Sequence, residues 1–137
     1  MLGAVTTASP RFENRLLAMM DGEELRALRP RLERIYLKQG EVLIKPNAPI
    51  RYVYFPIDAR ASLLKVLKDG STVEAGSIGR EGMAGASVLN GGTTPMRTVI
   101  QVAGEVYRLP AADLKAAFDK GGPLSVALTR YIGTVKL

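Results

Sequence analysis

The sequence predicts a mainly β protein with flanking helices: an antiparallel barrel or jelly roll, preceded by a helical N-terminal segment and followed by C-terminal helices. Three observations predict it. Short β-favouring runs follow one another after Gly40, separated by turn residues and without the helical patterns that parallel crossovers need. Apolar residues at helix-like offsets gather before this region and after it. Asp69-Gly70 joins two of the runs with a pair that accepts the positive φ of a tight hairpin turn. At 137 residues the chain has the length of one domain, large enough for its own core.

From Asn14 to Leu32 leucines and methionines recur at helical spacing, and Asp21 with Glu24 three residues later forms a capping-box pattern ahead of Leu25, Leu28 and Leu32. Pro30 lacks an amide hydrogen and clashes with the preceding turn, so the segment reads as two short helices. The strands are expected at residues 41–45, 52–56, 61–68, 72–77, 98–102 and 105–109. The 69–70 step is expected to be a type I′ turn. Between Ile78 and Thr94 the pattern breaks: Gly79, Gly82, Gly85, Gly91 and Gly92 surround a small apolar run, which suggests a loop carrying a short helix.

After the barrel, residues 111–118 read as a helix that Gly121-Gly122 can end, and Pro123 suits the first turn of another. In that last segment Leu124, Leu128, Tyr131, Ile132 and Val135 form one apolar stripe. Such a stripe packs either on its own domain or on a partner helix, and the expectation carried forward is a homodimer through this C-terminal helix.

Composition excludes much. The chain has no cysteine and no histidine, which removes disulfides, thiolate metal sites, a cysteine nucleophile and the commonest general base. A cupin-like metalloenzyme loses its usual ligands, and no enzymatic activity, metal or resident cofactor is expected. The net charge of +6 is spread along the chain. Its densest stretch, Arg26, Arg29, Arg31, Arg34 and Lys38, reads as a solvated face near one helix. Tyr52, Tyr54 and Phe55 alternate as strand residues do and make no base-stacking platform. No apolar run approaches a membrane span, and the first ten residues lack the basic and long apolar parts of a secretory signal, so a cytoplasmic location without membrane contact is expected. The loop Gly79-Arg80-Glu81-Gly82-Met83-Ala84-Gly85 resembles phosphate-cradling loops in its glycines but matches neither the Walker pattern nor the dinucleotide fingerprint.

The order of elements, with Leu37-Lys38-Gln39-Gly40-Glu41-Val42-Leu43, Val53-Tyr54-Phe55-Pro56, Lys68-Asp69-Gly70 through Val73, and Ile78-Gly79-Arg80-Glu81-Gly82, resembles the sensor domain of the Crp/Fnr (catabolite-activator) family of bacterial transcription regulators. That resemblance implies a cyclic-nucleotide-binding jelly roll in residues 14–122, a tail in residues 1–13, and the start of a truncated dimerisation helix in residues 123–137. The family's DNA-binding domain normally follows that helix, so no specific DNA binding is expected of these residues. The family's loop carries a Phe-Gly-Glu-x-Ala-Leu run, whose glutamate holds the ribose, and an arginine ten residues later that holds the cyclic phosphate. Matching Gly85 to the run's glycine places Ala86 and Met96 at those two positions. Losing two hydrogen bonds to charged groups weakens cyclic-nucleotide affinity by about 10²- to 10⁴-fold.

The resemblance thus implies a non-catalytic sensor domain whose usual cyclic-nucleotide contacts are replaced. Gly85, Ala86, Ser87, Arg97 and Thr98 are the candidate ligand-binding residues, and a small anion is a candidate ligand. Two alternatives stay open. One is a working cyclic AMP or cyclic GMP site using Arg97 and loop backbone amides; the other is a barrel that dimerises and takes no ligand.

Overall fold

The computed structural model describes residues 12–134. Residues 1–11 of the expected tail, and Val135 of the apolar stripe, lie outside the described residues.

The first element of the described residues is a 3₁₀ turn, Leu17–Met19, followed by helix α1, Gly22–Leu28. The capping box is formed: the Asp21 side chain accepts from Glu24 N at 2.8 Å, and Asp21 N donates back to Glu24 Oε1 at 3.0 Å. The helix gives way to a 3₁₀ turn at Arg29–Arg31, where Pro30 cannot continue the α pattern. Seven strands follow: β1 (Glu33–Leu37), β2 (Val42–Ile44), β3 (Tyr52–Pro56), β4 (Arg60–Val66), β5 (Thr72–Ile78), β6 (Met96–Val102) and β7 (Gly104–Pro110). A 3₁₀ turn, Ala86–Leu89, interrupts the loop between β5 and β6. Helices α2 (Ala111–Lys120) and α3 (Pro123–Thr134) come last among the described residues.

The strands form two antiparallel sheets, β1-β7-β3 and β2-β6-β4-β5, in the mainly β, jelly-roll arrangement with flanking helices that the sequence predicted. The three-stranded sheet is covered on both faces. Val53, Phe55 and Leu109 pack against Leu28, Leu114 and Leu128 of the helices. On the opposite face, Leu37 and Val106 meet Ile44, Ala61 and Ile100 of the second sheet. Period-2 alternation along β3 and β7 produces this two-sided burial.

Three expectations need correction. Strand β1 was not anticipated, because its Glu33, Arg34 and exposed Tyr36 lack the apolar alternation of a half-buried strand. Among the described residues it is an edge strand paired with β7 alone, and ion pairs bind it there: Arg34 with Glu105 at 2.9 Å and Arg108 with Glu33 at 2.8 Å. The basic stretch is therefore no single helix face. Arg34 lies on β1, Arg31 pairs with Asp113 at 3.1 Å, and only Arg26 lies on α1.

The hairpin tip falls at the expected place with a different turn. Gly70 has φ +88°, but Asp69 does not have positive φ, so the turn is not type I′. Gly70 N donates to Leu67 O at 2.9 Å and Leu67 N to Ser71 O at 2.8 Å, enclosing a three-residue loop. Asp69 Oδ1 accepts from Ser71 N at 3.0 Å, which holds the aspartate in ordinary backbone conformation and leaves the left-handed position to glycine.

Candidate ligand-binding site

The loop after β5 is held from both ends of the chain. Asn14 is fully buried, and its Nδ2 donates to Pro56 O and Gly82 O, each at 2.9 Å. Its Oδ1 accepts from Leu16 N at 3.0 Å and Leu17 N at 3.3 Å, so one amide side chain satisfies four backbone groups. Arg15 N donates to Arg80 O at 2.8 Å. From the other end, Tyr131 of α3 donates its phenol hydrogen to Met83 O at 3.2 Å. Burial pushes the Tyr131 phenol above its ordinary pKa, which keeps that hydrogen in place at neutral pH. Gly82 is required by this contact: a Cβ there would lie 2.5 Å from the Tyr131 hydroxyl.

Beneath the loop lies a cavity of about 160 Å³. Strand β5 contributes the wall from Ala75 to Ile78, Ile44 and Leu63 come from β2 and β4, and the loop supplies Met83, Gly85, Ala86 and Ser87. Thr94 and Thr98 line it from the β6 side, and Tyr131 closes it from α3. The exposed residues Ala75 and Ser77 mark its side toward solvent. Thr98 is 2% exposed, and Thr94 Oγ1 accepts from Met96 N at 3.2 Å.

The structure thus gathers Gly85, Ala86, Ser87 and Thr98 around one cavity and leaves Arg97 out of its lining. On β6, Met96, Thr98 and Ile100 are buried on the inner face, while Arg97 alternates to the other face, opposite Leu64 of β4. Ala86 opens the 3₁₀ turn on the cavity wall, and Met96 is buried on the inner face. Among the described residues, no charged side chain lines the cavity. Arg60 reaches a residue of the lining: its Nη2 donates to Ser77 Oγ at 2.8 Å. Neither Arg60 nor Tyr131 was among the candidate ligand residues. Tyr131 was visible in the sequence only as part of an apolar stripe, and Arg60 carried no signal.

That stripe also requires correction. Leu124 and Leu128 belong to the domain's own core, packed with Phe55, Leu109 and Leu114, because α3 folds back onto the helical layer. They offer no face to a second chain. Tyr131 is half-buried toward the loop, Ile132 is half-buried, and the exposed large apolar residue of α3 is Val126, at 54%. The N-terminus of α3 is held by α1: the buried Glu24 carboxylate accepts from Leu124 N at 3.1 Å through both oxygens.

Among the described residues, no group of three or more acidic, histidine or cysteine side chains is placed to hold a metal ion, and no helix is long and apolar enough to cross a membrane.

A family model described as cyclic nucleotide-binding domain matches residues 34–120, which run from β1 to the end of α2 and include the cavity loop. The chain belongs to the cyclic nucleotide-binding domain family. No curated protein sequence matches it significantly. Among solved structures, this cyclic nucleotide-binding domain is similar to the regulatory subunit of a cAMP-independent protein kinase A from Trypanosoma cruzi bound to guanosine. That match has a TM-score of 0.72 and 17% identity, covering 85% of this chain and 41% of that one. It is similar to the sensor domain of the transcriptional regulator DNR from Pseudomonas aeruginosa, with TM-score 0.68, 13% identity, and 87% and 85% covered. It is also similar to the N-terminal domain of a transcriptional regulator from Streptomyces coelicolor, with TM-score 0.63, 20% identity, and 86% and 83% covered. The chain spans well under half the length of the trypanosomal kinase regulatory subunits.

Proposed function

We propose that this domain is the non-catalytic, cytoplasmic sensor of a Crp/Fnr-type transcription regulator, and that occupancy of its cavity acts by changing the placement of α3. The observation that carries this reading is Tyr131. A single side chain of the terminal helix is both a wall of the cavity and a hydrogen-bond donor to the loop at Met83. A ligand that favours one position of the loop therefore favours one position of α3, which is a population shift read out by a rigid element. Two of the fold relatives are domains of transcriptional regulators and are covered over more than four-fifths of their length, which supports the transcriptional reading. The trypanosomal relative is bound to guanosine, a nucleoside without a phosphate, which supports a site of this fold that works without a cyclic phosphate.

The test supplies the two side chains that the family pattern has and this sequence lacks. The double variant Ala86→Glu with Met96→Arg is expected to gain cyclic AMP binding. At about 100 times the dissociation constant, its thermal midpoint then rises by several degrees, while the unsubstituted chain shows no such shift at the same concentration. The chain has no tryptophan, so Val126→Trp in the double variant gives a single reporter on α3. Failure of the double variant to bind cyclic AMP overturns the cavity as the ligand site. Binding with unchanged tryptophan emission overturns the relay through α3.

A further inference from the structure

We propose that the natural occupant of this cavity is an uncharged ring compound with hydrogen-bonding groups on its edge, of the nucleobase or nucleoside class, and not a phosphate ester. The inference rests on the reading of the cavity as the ligand site and adds its chemistry. Three observations carry it.

The first is charge. Among the described residues, no arginine, lysine, aspartate or glutamate lines the cavity. A phosphate taken under the loop gives up its hydration, and an unpaired buried charge is heavily penalised. The cations close by do not answer it: Arg97 lies on the other face of β6, and Arg60 is engaged at Ser77 Oγ. The Arg60 guanidinium and the Glu81 carboxylate both crowd Gly79, so the cation already has an acid for a neighbour. A neutral ligand meets none of these costs.

The second is size. The cavity measures about 160 Å³, and an apolar protein cavity of about 150 Å³ accommodates a benzene ring. One ring of a planar base fits the interior, and the rest of the molecule, such as a purine's second ring or a sugar, extends past exposed Ala75 and Ser77.

The third is the placing of polarity. Ile44, Leu63, Ile78 and Met83 are apolar walls for a ring face, and a thioether such as that of Met83 contacts aromatic rings favourably. Thr98 is almost wholly buried, yet no buried side-chain oxygen or nitrogen among the described residues is left unpaired and sealed off. Its hydroxyl makes no hydrogen bond to another described group, so it is a donor and acceptor reached through the cavity. Ser87, beside Ala86, places a second hydroxyl on the lining. Buried hydroxyls of this kind select a partner with matching groups and reject one without them.

The test uses the full chain with guanosine, adenosine, guanine and adenine, against cyclic GMP and cyclic AMP, each followed by thermal shift and calorimetry. At least one nucleoside or base is expected to raise the midpoint by a few degrees at about 1 mM, with the corresponding cyclic nucleotide bound about tenfold more weakly or worse. Thr98→Val is expected to weaken the nucleoside or base about tenfold while leaving the unliganded midpoint nearly unchanged. Cyclic nucleotides binding as tightly as their nucleosides overturn the proposal. So does the absence of binding by all four neutral probes. In that second case the Ala86→Glu, Met96→Arg variant separates the failures: if it gains cyclic AMP binding, the cavity stands as the ligand site and only the ligand class is wrong. If it does not, both readings fall.

Discussion

The two faces of the three-stranded sheet β1-β7-β3 bury cores of different kinds. Against the helices, Phe55, Leu109, Leu114, Leu124 and Leu128 are each no more than 1% exposed and fill the space with large side chains. Between the two sheets, Leu37, Ile44, Ile78, Ile100 and Val106 share the space with Ala59, Ala61 and Ala84, and the cavity lies beside this cluster, under the loop. The cavity opens to solvent past Ala75 and Ser77, so the contrast is between a sealed, closely packed layer and a region with room left in it.

That contrast is open to direct attack. Leu128→Ala, deep in the helical layer, is expected to cost about 2–5 kcal/mol in urea denaturation, because its neighbours cannot collapse into the space. Leu63→Ala removes the same atoms from the cavity wall, where one side has no packing partner, and is expected to cost less than about 2 kcal/mol. Equal losses at the two positions would erase the distinction.

Next in size is Asn14→Ala, which strips partners from Pro56 O, Gly82 O and two backbone amides and is expected to cost about 1–3 kcal/mol. Amide exchange along residues 79–85 should accelerate in the same variant, since the loop loses one of its clamps. Tyr131→Phe keeps the ring and deletes one hydrogen bond to Met83 O, so about 0.5–1.5 kcal/mol is expected.

The smallest effect belongs to the outer edge. The Arg34 guanidinium holds the Glu105 carboxyl below the ordinary carboxylate value of 4.5. The stability this carboxylate contributes is fully present above that value and is lost as pH falls through the lowered one. Comparing Glu105→Gln with the parent chain by urea midpoint should show a small difference at pH 7 that closes in acid. A difference that grows in acid would refute the assignment.

The sequence made the core legible where periodicity and turn chemistry agreed. The capping box at Asp21, the strand at Tyr52–Pro56 and the helix opening at Pro123 each carry a local physical signature, and each is where the pattern placed it. Strand β1 escaped because its stability comes from cross-strand ion pairs with β7, about 70 residues away in sequence. The stripe on α3 was legible as apolar, but periodicity does not say against what an apolar face packs. Leu124 and Leu128 turned out to serve their own domain. At the site, Gly85, Ala86, Ser87 and Thr98 were found through a motif and do meet at the cavity. The clamp at Asn14 was invisible, since its partners are backbone carbonyls 42 and 68 residues away that no side-chain pattern reports.

The bond from Glu24 to the first turn of α3 spans 100 residues of chain. A contact that distant closes only after the intervening strands have assembled, because loop-closure entropy has to be overcome before the contact gives anything back. Late docking of α3 is therefore expected, and φ-values near zero at Leu124 and Leu128 would show it. The hydrogen bonds of the two sheets join strand to strand and do not pass through α3, so a shift of this helix leaves the ladders themselves intact.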